Sequence, residues 1–366
     1  MSEPNFIERD AQTIIDEMVA DYESRVGKTL QPAQVEMMLI KTFAYRELLL
    51  RIGIQETGKQ NLLAFSTATA LDYLGELLGV LRLPAAFAST TLLFTIVNGH
   101  TGVTIPSGTR VATIDGKAVF ETNESKVINA GTYTVEVEAT AQAAGTAAND
   151  YAASFVNVLL DPLAFVESVE NITTSGGGSA AETDDQLRER IRLVPATFSN
   201  AGSKQAYRFW AKTASPLILD VGVTSLNPGE VDIYPLVAGG VATQEILDLV
   251  EAILTDDKVR PLTDTVVVDN PTVVSYQITA ALTLYTTADE ASVFEQVTAA
   301  LTDYKNNREL TLGLDIVKKQ IENQIMSVPG VYNVTLSAPA ADTVIAENEF
   351  AKNTLITLTL AGRADG

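Results

Sequence analysis

Ser175-Gly176-Gly177-Gly178-Ser179-Ala180-Ala181-Glu182-Thr183-Asp184-Asp185-Gln186-Leu187-Arg188-Glu189-Arg190-Ile191 is the stretch that divides the chain. A triple glycine runs into a strong helix start. Thr183 and Gln186 stand at capping-box spacing. Glu182, Asp184 and Asp185 place negative charge where the helix dipole is positive, and Leu187 and Ile191 begin an apolar face at i, i+4. Before this joint the chain reads as helices followed by strands; after it, strands and helices mix. The spacing predicts a hinge at Gly176, Gly177 and Gly178. A phosphate cradle is disfavoured, because no Lys or Ser/Thr follows at Walker spacing and three carboxylates would repel an anion.

Working outward, the 366 residues exceed what one core supports, so two to four domains are expected. With 46% hydrophobic and 19% charged residues the chain is globular in composition. A formal net charge of -21 argues against nucleic acid, whose phosphates need clustered Lys and Arg. The absence of cysteine excludes disulfides, thiolate metal sites and Cys nucleophiles. The first ten residues, MSEPNFIERD, lack the apolar core of a signal peptide. No apolar run is long enough for a transmembrane helix, so no membrane insertion is expected.

The region 1–84 reads as helical. Ile7, Ala11, Ile14, Ile15, Met18, Val19 and Tyr22 form the stripe of a helix over 6–24, stopped by Gly27. Pro32 opens a second helix through about Ile54, whose Leu39, Phe43 and Leu50 lie among apolar residues covering most of its girth. A third helix over 66–83 stops at Pro84. That is too much apolar surface for a thin bundle. It implies packing on another chain, or equally on the rest of this one. Ile7, Ile14, Ile15, Met18, Tyr22, Leu39, Phe43 and Leu50 are the expected partner contacts.

Residues 85–172 alternate as half-buried strands, for example Tyr133, Val135 and Val137 against Thr134, Glu136 and Glu138, with recurrent turn signals. This is a small antiparallel β domain, in which Ala139 to Ala148 reads as a loop or a small-residue strand crossing. Residues 173–270 hold the hinge and a first α+β module, with helices over 183–194, 202–214 and 243–255. Residues 271–366 hold a second, with helices over 289–305 and 314–327 and last strands at 331–337 and 353–360. Ala252 to Lys258 resembles Ala299 to Lys305, each taken to close a helix, which suggests two sandwich-like modules of related build. The fold class is therefore multidomain α+β.

Chemistry is sparse. The one histidine, His100, sits in the turn Asn98-Gly99-His100-Thr101-Gly102 and reads as an exposed loop residue; no nucleophile elbow accompanies it. The 46 acidic residues make a carboxylate pair uninformative. Asp184-Asp185 and Asp256-Asp257 are explained by capping and solvation at helix ends. No EF-hand spacing occurs. No metal, no cofactor and no catalytic residue are predicted. Trp210 lies on a predicted helix beside Tyr207 and Phe209, an arrangement suited to packing rather than glycan display.

Five patches together resemble the baseplate J-like family, the wedge proteins of contractile phage tails and related injection machines. They are Leu71-Asp72-Tyr73-Leu74-Gly75 with Gly79-Val80-Leu81-Arg82; Ile105-Pro106-Ser107-Gly108-Thr109-Arg110-Val111 with Phe120; Gly145 with Asn149; Gly177-Gly178 with Glu182-Thr183-Asp184, Leu187-Arg188 and Arg190-Ile191; and Gly202-Ser203 with Ala206-Tyr207, Pro228-Gly229, Val231 and Tyr234. Ser107 replaces the family's usual alanine. The resemblance covers about 66–340. It implies a structural, non-enzymatic virion component of the tail baseplate, made and assembled in the host bacterial cytoplasm. Two copies would join one tail protein I-like wedge subunit through an N-terminal helical bundle. They would contact neighbouring wedges and the tail hub or sheath-initiating protein, and rearrange on sheath contraction. The alternatives are a glycan-binding tail adhesin or a cell-wall hydrolase.

Overall fold

Asp10 starts the first helix by accepting the Thr13 N–H on its carboxylate at 2.8 Å. Gly27 ends it in a left-handed conformation, donating its N–H to Glu23 O at 2.8 Å. The helix is α1, Ala11–Val26. Residues before Asp10 are not helical, which shortens the expected element at its front. The computed structural model describes residues 2–198, 202–256, 259–261 and 263–365. It divides into two units, Met1–Arg82 with Thr183–Ile191, and Leu83–Glu182 with Arg192–Gly366.

In the first unit α1 packs on α2, Val35–Gln60. Gly53 and Gly58 do not stop α2, which runs past the expected end at Ile54. At Gly58 the Phe6 ring lies so close that a Cβ would stand 2.7 Å from its Cδ2. Glycine there admits the ring. Gln55, fully buried, accepts the Phe6 N–H at 2.9 Å and donates to Pro4 O at 2.5 Å, folding the leading residues onto α2. The third helix, α3, covers Ala68–Glu76, less than the expected 66–83. Val80 donates back to Gly75 O at 2.9 Å through left-handed Gly79, which closes the helix early. The fourth helix, α4, Asp184–Leu193, follows the joint as expected, and its Thr183–Gln186 capping box is formed.

In the second unit, residues 87–171 give β1 (Phe87–Ile96), β2 (Val103–Ile105), β3 (Arg110–Thr113), β4 (Val119–Thr122), β5 (Lys126–Ile128), β6 (Thr134–Ala144), β7 (Val156–Leu159) and β8 (Val166–Asn171). Six of them form one antiparallel sheet in the order β7-β3-β4-β6-β1-β8. Its end strands β7 and β8 lie together, so the sheet is a nearly closed barrel. Buried Asn171 fastens the closure, accepting the Val156 N–H at 2.8 Å and donating to Ala152 O at 2.9 Å. Leu92, Phe94, Val111, Phe120 and Val137 fill the interior. Of the two readings of the Ala-rich tract, strand holds as far as Ala144, where β6 ends, and Ala141 stands opposite Phe120. Small side chains there leave room for the ring.

Two further three-stranded sheets follow. The first comprises α5 (Lys204–Ala214), β9 (Ile218–Thr224), β10 (Glu230–Val237), α6 (Gln244–Leu254) and β11 (Thr265–Val268). The second comprises β12 (Thr272–Tyr285), α7 (Glu290–Glu309), α8 (Lys318–Met326), β13 (Val331–Ala338) and β14 (Glu349–Ala364). In each, a central strand, β10 or β12, has one antiparallel and one parallel neighbour, and two helices cover the sheet. The chain order of the strands differs between them. The expected helix-closing repeat does not hold: Ala299 to Lys305 lies inside α7, which continues to Glu309. Residues 257 and 258 of the other copy fall outside the described residues.

Candidate assembly interface

The helical unit presents two unlike faces. At 100° per residue, buried Ile40, Ala44 and Gln55 lie within about 60° of one another on α2. Together with Ile14, 1% exposed, and buried Leu30, they make the α1–α2 core. Leu39, Phe43, Leu50 and Ile54 form a second stripe centred about 100° away. Leu39 is 54%, Phe43 65% and Leu50 69% exposed, and Val35, Met38, Tyr45 and Ile54 are also exposed. Arg51 stitches α2 to α1 through Glu17 at 3.5 Å. Of the expected partner contacts, Leu39, Phe43 and Leu50 are open. Ile7, Ile15, Met18 and Tyr22 are half-buried, and Ile14 is enclosed within its own chain. Exposed apolar side chains repeated at helical spacing are what a helix-in-groove docking face uses, here with Arg46 and Glu47 in the turn between Phe43 and Leu50.

The stretch that divides the sequence is held firmly at both ends. Gly176 exchanges backbone hydrogen bonds with Ser89, 2.7 Å and 3.1 Å long. The Asn149 amide clamps Gly178, accepting its N–H at 2.9 Å and donating to its O at 2.8 Å. Gly177 has φ +83. A Cβ on Gly178 would stand 2.7 Å from Asn149 Oδ1 and closer still to Gly145 O. Glycine at 178 therefore serves close approach, as Gly145, Asn149 and Gly178 converge from separate segments. No periodic signal in the sequence joins them.

Beyond the glycines, α4 docks on α3. Asp184 accepts the Ala68 N–H at 2.9 Å and pairs with Arg82 at 2.7 Å, and Arg82 also reaches Asp72 at 2.7 Å. Arg188 donates to Leu63 O at 2.9 Å and Ser66 O at 2.8 Å, and Arg190 to Leu81 O at 3.2 Å. Ile191 packs on Gly75, where a Cβ would lie 3.2 Å from its Cδ1. The Ala68 hydrogen bond first, then the Arg82 guanidinium, holds the Asp184 carboxyl below its usual 3.8. A depressed carboxylate contributes stability above its usual pKa and loses it as pH falls through the lower folded value. Asp184→Asn is therefore expected to cost about 1 kcal/mol at neutral pH, a charge-assisted bond discounted for partial exposure. It should also flatten the stability profile below the usual 3.8. Urea unfolding of both chains across that range measures it.

His100 is not the exposed loop residue expected: it is 6% exposed, with Nε2 2.9 Å from Thr132 O and its ring edge-on to Tyr133. Trp210 packs against the core of the first α+β module, edge-on to Phe209. A cleft of about 480 Å³ beside the glycines is lined by hydroxyls, among them Ser89, Thr140 and Thr173, with Glu138 and Glu245, and no aromatic ring. Among the described residues, no group of three or more His, Cys, Asp or Glu could hold a metal. No described helix is long and apolar enough to cross a membrane.

Four family models match this chain in order. Baseplate J-like N-terminal domain matches residues 35–86, Baseplate J-like protein barrel domain 91–178, Baseplate J-like central domain 199–270, and Baseplate J-like protein C-terminal domain 276–359. The chain belongs to the baseplate J-like family. It is 34% identical over 166 residues to Baseplate protein J of Escherichia phage P2, covering 45% of this chain and 54% of that relative. The chain thus spans about half the length of the curated relative it matches. It also aligns with a chain in the cryo-EM structure of the anti-feeding prophage (AFP) baseplate, at a TM-score of 0.48 and 14% identity, covering 93% of this chain and 90% of that one. The residues between the barrel and central matches, 179–198, include α4. The Arg82–Asp184 pairing thus joins the N-terminal-domain match to a segment that lies outside the four family-model matches.

Proposed function

We propose that this baseplate J-like chain is a structural wedge protein of a contractile tail or injection machine, resident in the tail baseplate of the virion and assembled in the host cytoplasm. The observation that carries the reading is the open stripe Leu39, Phe43, Leu50 and Ile54 on α2. In the proposed assembly this stripe is buried against helices of a second copy and of one tail protein I-like subunit, two copies to one. The C-terminal modules meet neighbouring wedges around the hub or sheath-initiating protein. For Gly176, Gly177 and Gly178 to act as a hinge during sheath contraction, the Asn149 clamp would have to release. A tagged chain recovered from cells making the whole particle tests the reading, with subunit ratios read by mass spectrometry. Recovery with one partner near two to one supports it. Recovery as a lone monomer overturns it.

A further inference from the structure

The last sheet has the order β13-β12-β14, so β14 has one strand partner and one open edge. Its pairing with β12 shifts register after Asn353 and again after Leu360. Between these irregularities lies an unbroken run, Leu355-Ile356-Thr357-Leu358-Thr359-Leu360. Bulges, charges and prolines are the usual guards of an exposed edge. Within this run there is no charge, no proline and no bulge, and three of its six residues, Ile356, Thr357 and Thr359, are β-branched strand formers. Leu355 is 53% and Leu360 39% exposed. No backbone hydrogen bond outside the β12 ladder involves these six residues among the described ones.

An edge of free N–H and C=O groups takes only an extended strand as its occupant. The run's own order selects which strand. The net charge of -21 opposes association of copies over most of the surface, and this run, free of charge, adds no repulsion of its own. The run is also self-complementary. A two-fold axis perpendicular to the sheet at Leu358 keeps the two faces of each strand matched. It sets Ile356 opposite Leu360 and Leu358 opposite Leu358 on the core side, where Ile356 and Leu358 already pack on the module core. On the other side it sets Thr357 opposite Thr359. Apolar pairs and Thr–Thr pairs across antiparallel strands are favourable, and a self-matching patch is what a two-fold interface requires.

We propose that the open edge of β14 pairs antiparallel with the same edge of a second copy of this chain, centred on Leu358, making one six-stranded sheet from two three-stranded ones. The proposal rests on β14 alone and adds a second contact between copies to the one assigned to α2. It is tested in full-length chain carrying Leu39→Glu, Phe43→Glu and Leu50→Glu, so that association through α2 does not contribute. The native chain has no cysteine, so Thr357→Cys and Thr359→Cys each introduce a single thiol. Mixed before mild oxidation, the two variants should give a disulfide-linked dimer joining position 357 of one copy to 359 of the other, while either alone gives little. No dimer in the mixture, or equal yields from all three samples, overturns the register and the contact. In the same background without the cysteines, Thr357→Lys with Thr359→Lys sets like charges opposite one another. It should weaken self-association by about tenfold or more, read by sedimentation, with an unchanged melting temperature. Unchanged self-association overturns the proposal.

Discussion

Leu39→Glu, Phe43→Glu and Leu50→Glu in one chain are expected to leave the protein folded and to abolish its incorporation into an assembled particle. All three side chains are more than half exposed. Each substitution should therefore change the chain's own stability by no more than about 0.5 kcal/mol. In the proposed assembly the same side chains are buried, each contributing about 1.5–3 kcal/mol as apolar area leaves water. An unpaired carboxylate placed there adds a desolvation cost. The combined loss exceeds about a thousandfold in affinity. Thermal unfolding of the purified chain and its yield in assembled particles measure the two halves separately. Ile14→Glu is the contrast: buried between α1 and α2, it should lower the melting temperature. Normal incorporation of the triple variant would place the interface elsewhere.

Gly178→Ala is expected to cost about 3 kcal/mol, the upper range for forcing extra volume into a packed site. Its Cβ would press into Gly145 O and Asn149 Oδ1, and both are already held. Gly177→Ala meets only ordinary contacts, yet at φ +83 an alanine costs about 1–2 kcal/mol in the left-handed region. Gly176→Ala meets nothing within 4 Å, and φ is not left-handed, so its effect should fall within about 0.5 kcal/mol. Chemical denaturation of the three variants should give that rank order. A flexible hinge predicts another result: all three variants keep their stability and lose particle function. Asn149→Ala, which removes the clamp and leaves the glycines free to move, completes the set and should resemble Gly178→Ala in direction.

The sequence carried the helical stripes well because period is a property of neighbours along the chain. Leu39, Phe43 and Leu50 stood out for that reason, and their exposure agrees with the excess of apolar surface counted from residues alone. Ile14 has the same period, but which of two stripes finds an intramolecular partner depends on how α1 lies on α2. The glycines were legible as special and not as clamped, since Asn149 and Gly145 lie some thirty residues away and meet Gly178 only in space. His100 fails for a similar reason: its turn reads as surface, while Tyr133 and Thr132 close over it from a distant hairpin. The alanines of β6 lacked bulk and so left loop and strand both open, although small side chains are what the strand places across from Phe120.

The helical unit is discontinuous: the chain leaves it after Arg82 and returns at Thr183. Synthesis is vectorial, and at about 5–20 residues per second the intervening segment takes roughly 5–20 s to emerge. Throughout that interval α3 waits without Ile191 against Gly75, and Arg82 lacks Asp184. The barrel is therefore made while the helices that precede it are still unfinished. A chain that ends inside the barrel lacks α4 and leaves unmade the contacts that Asp184, Arg188 and Ile191 bring to the residues around α3.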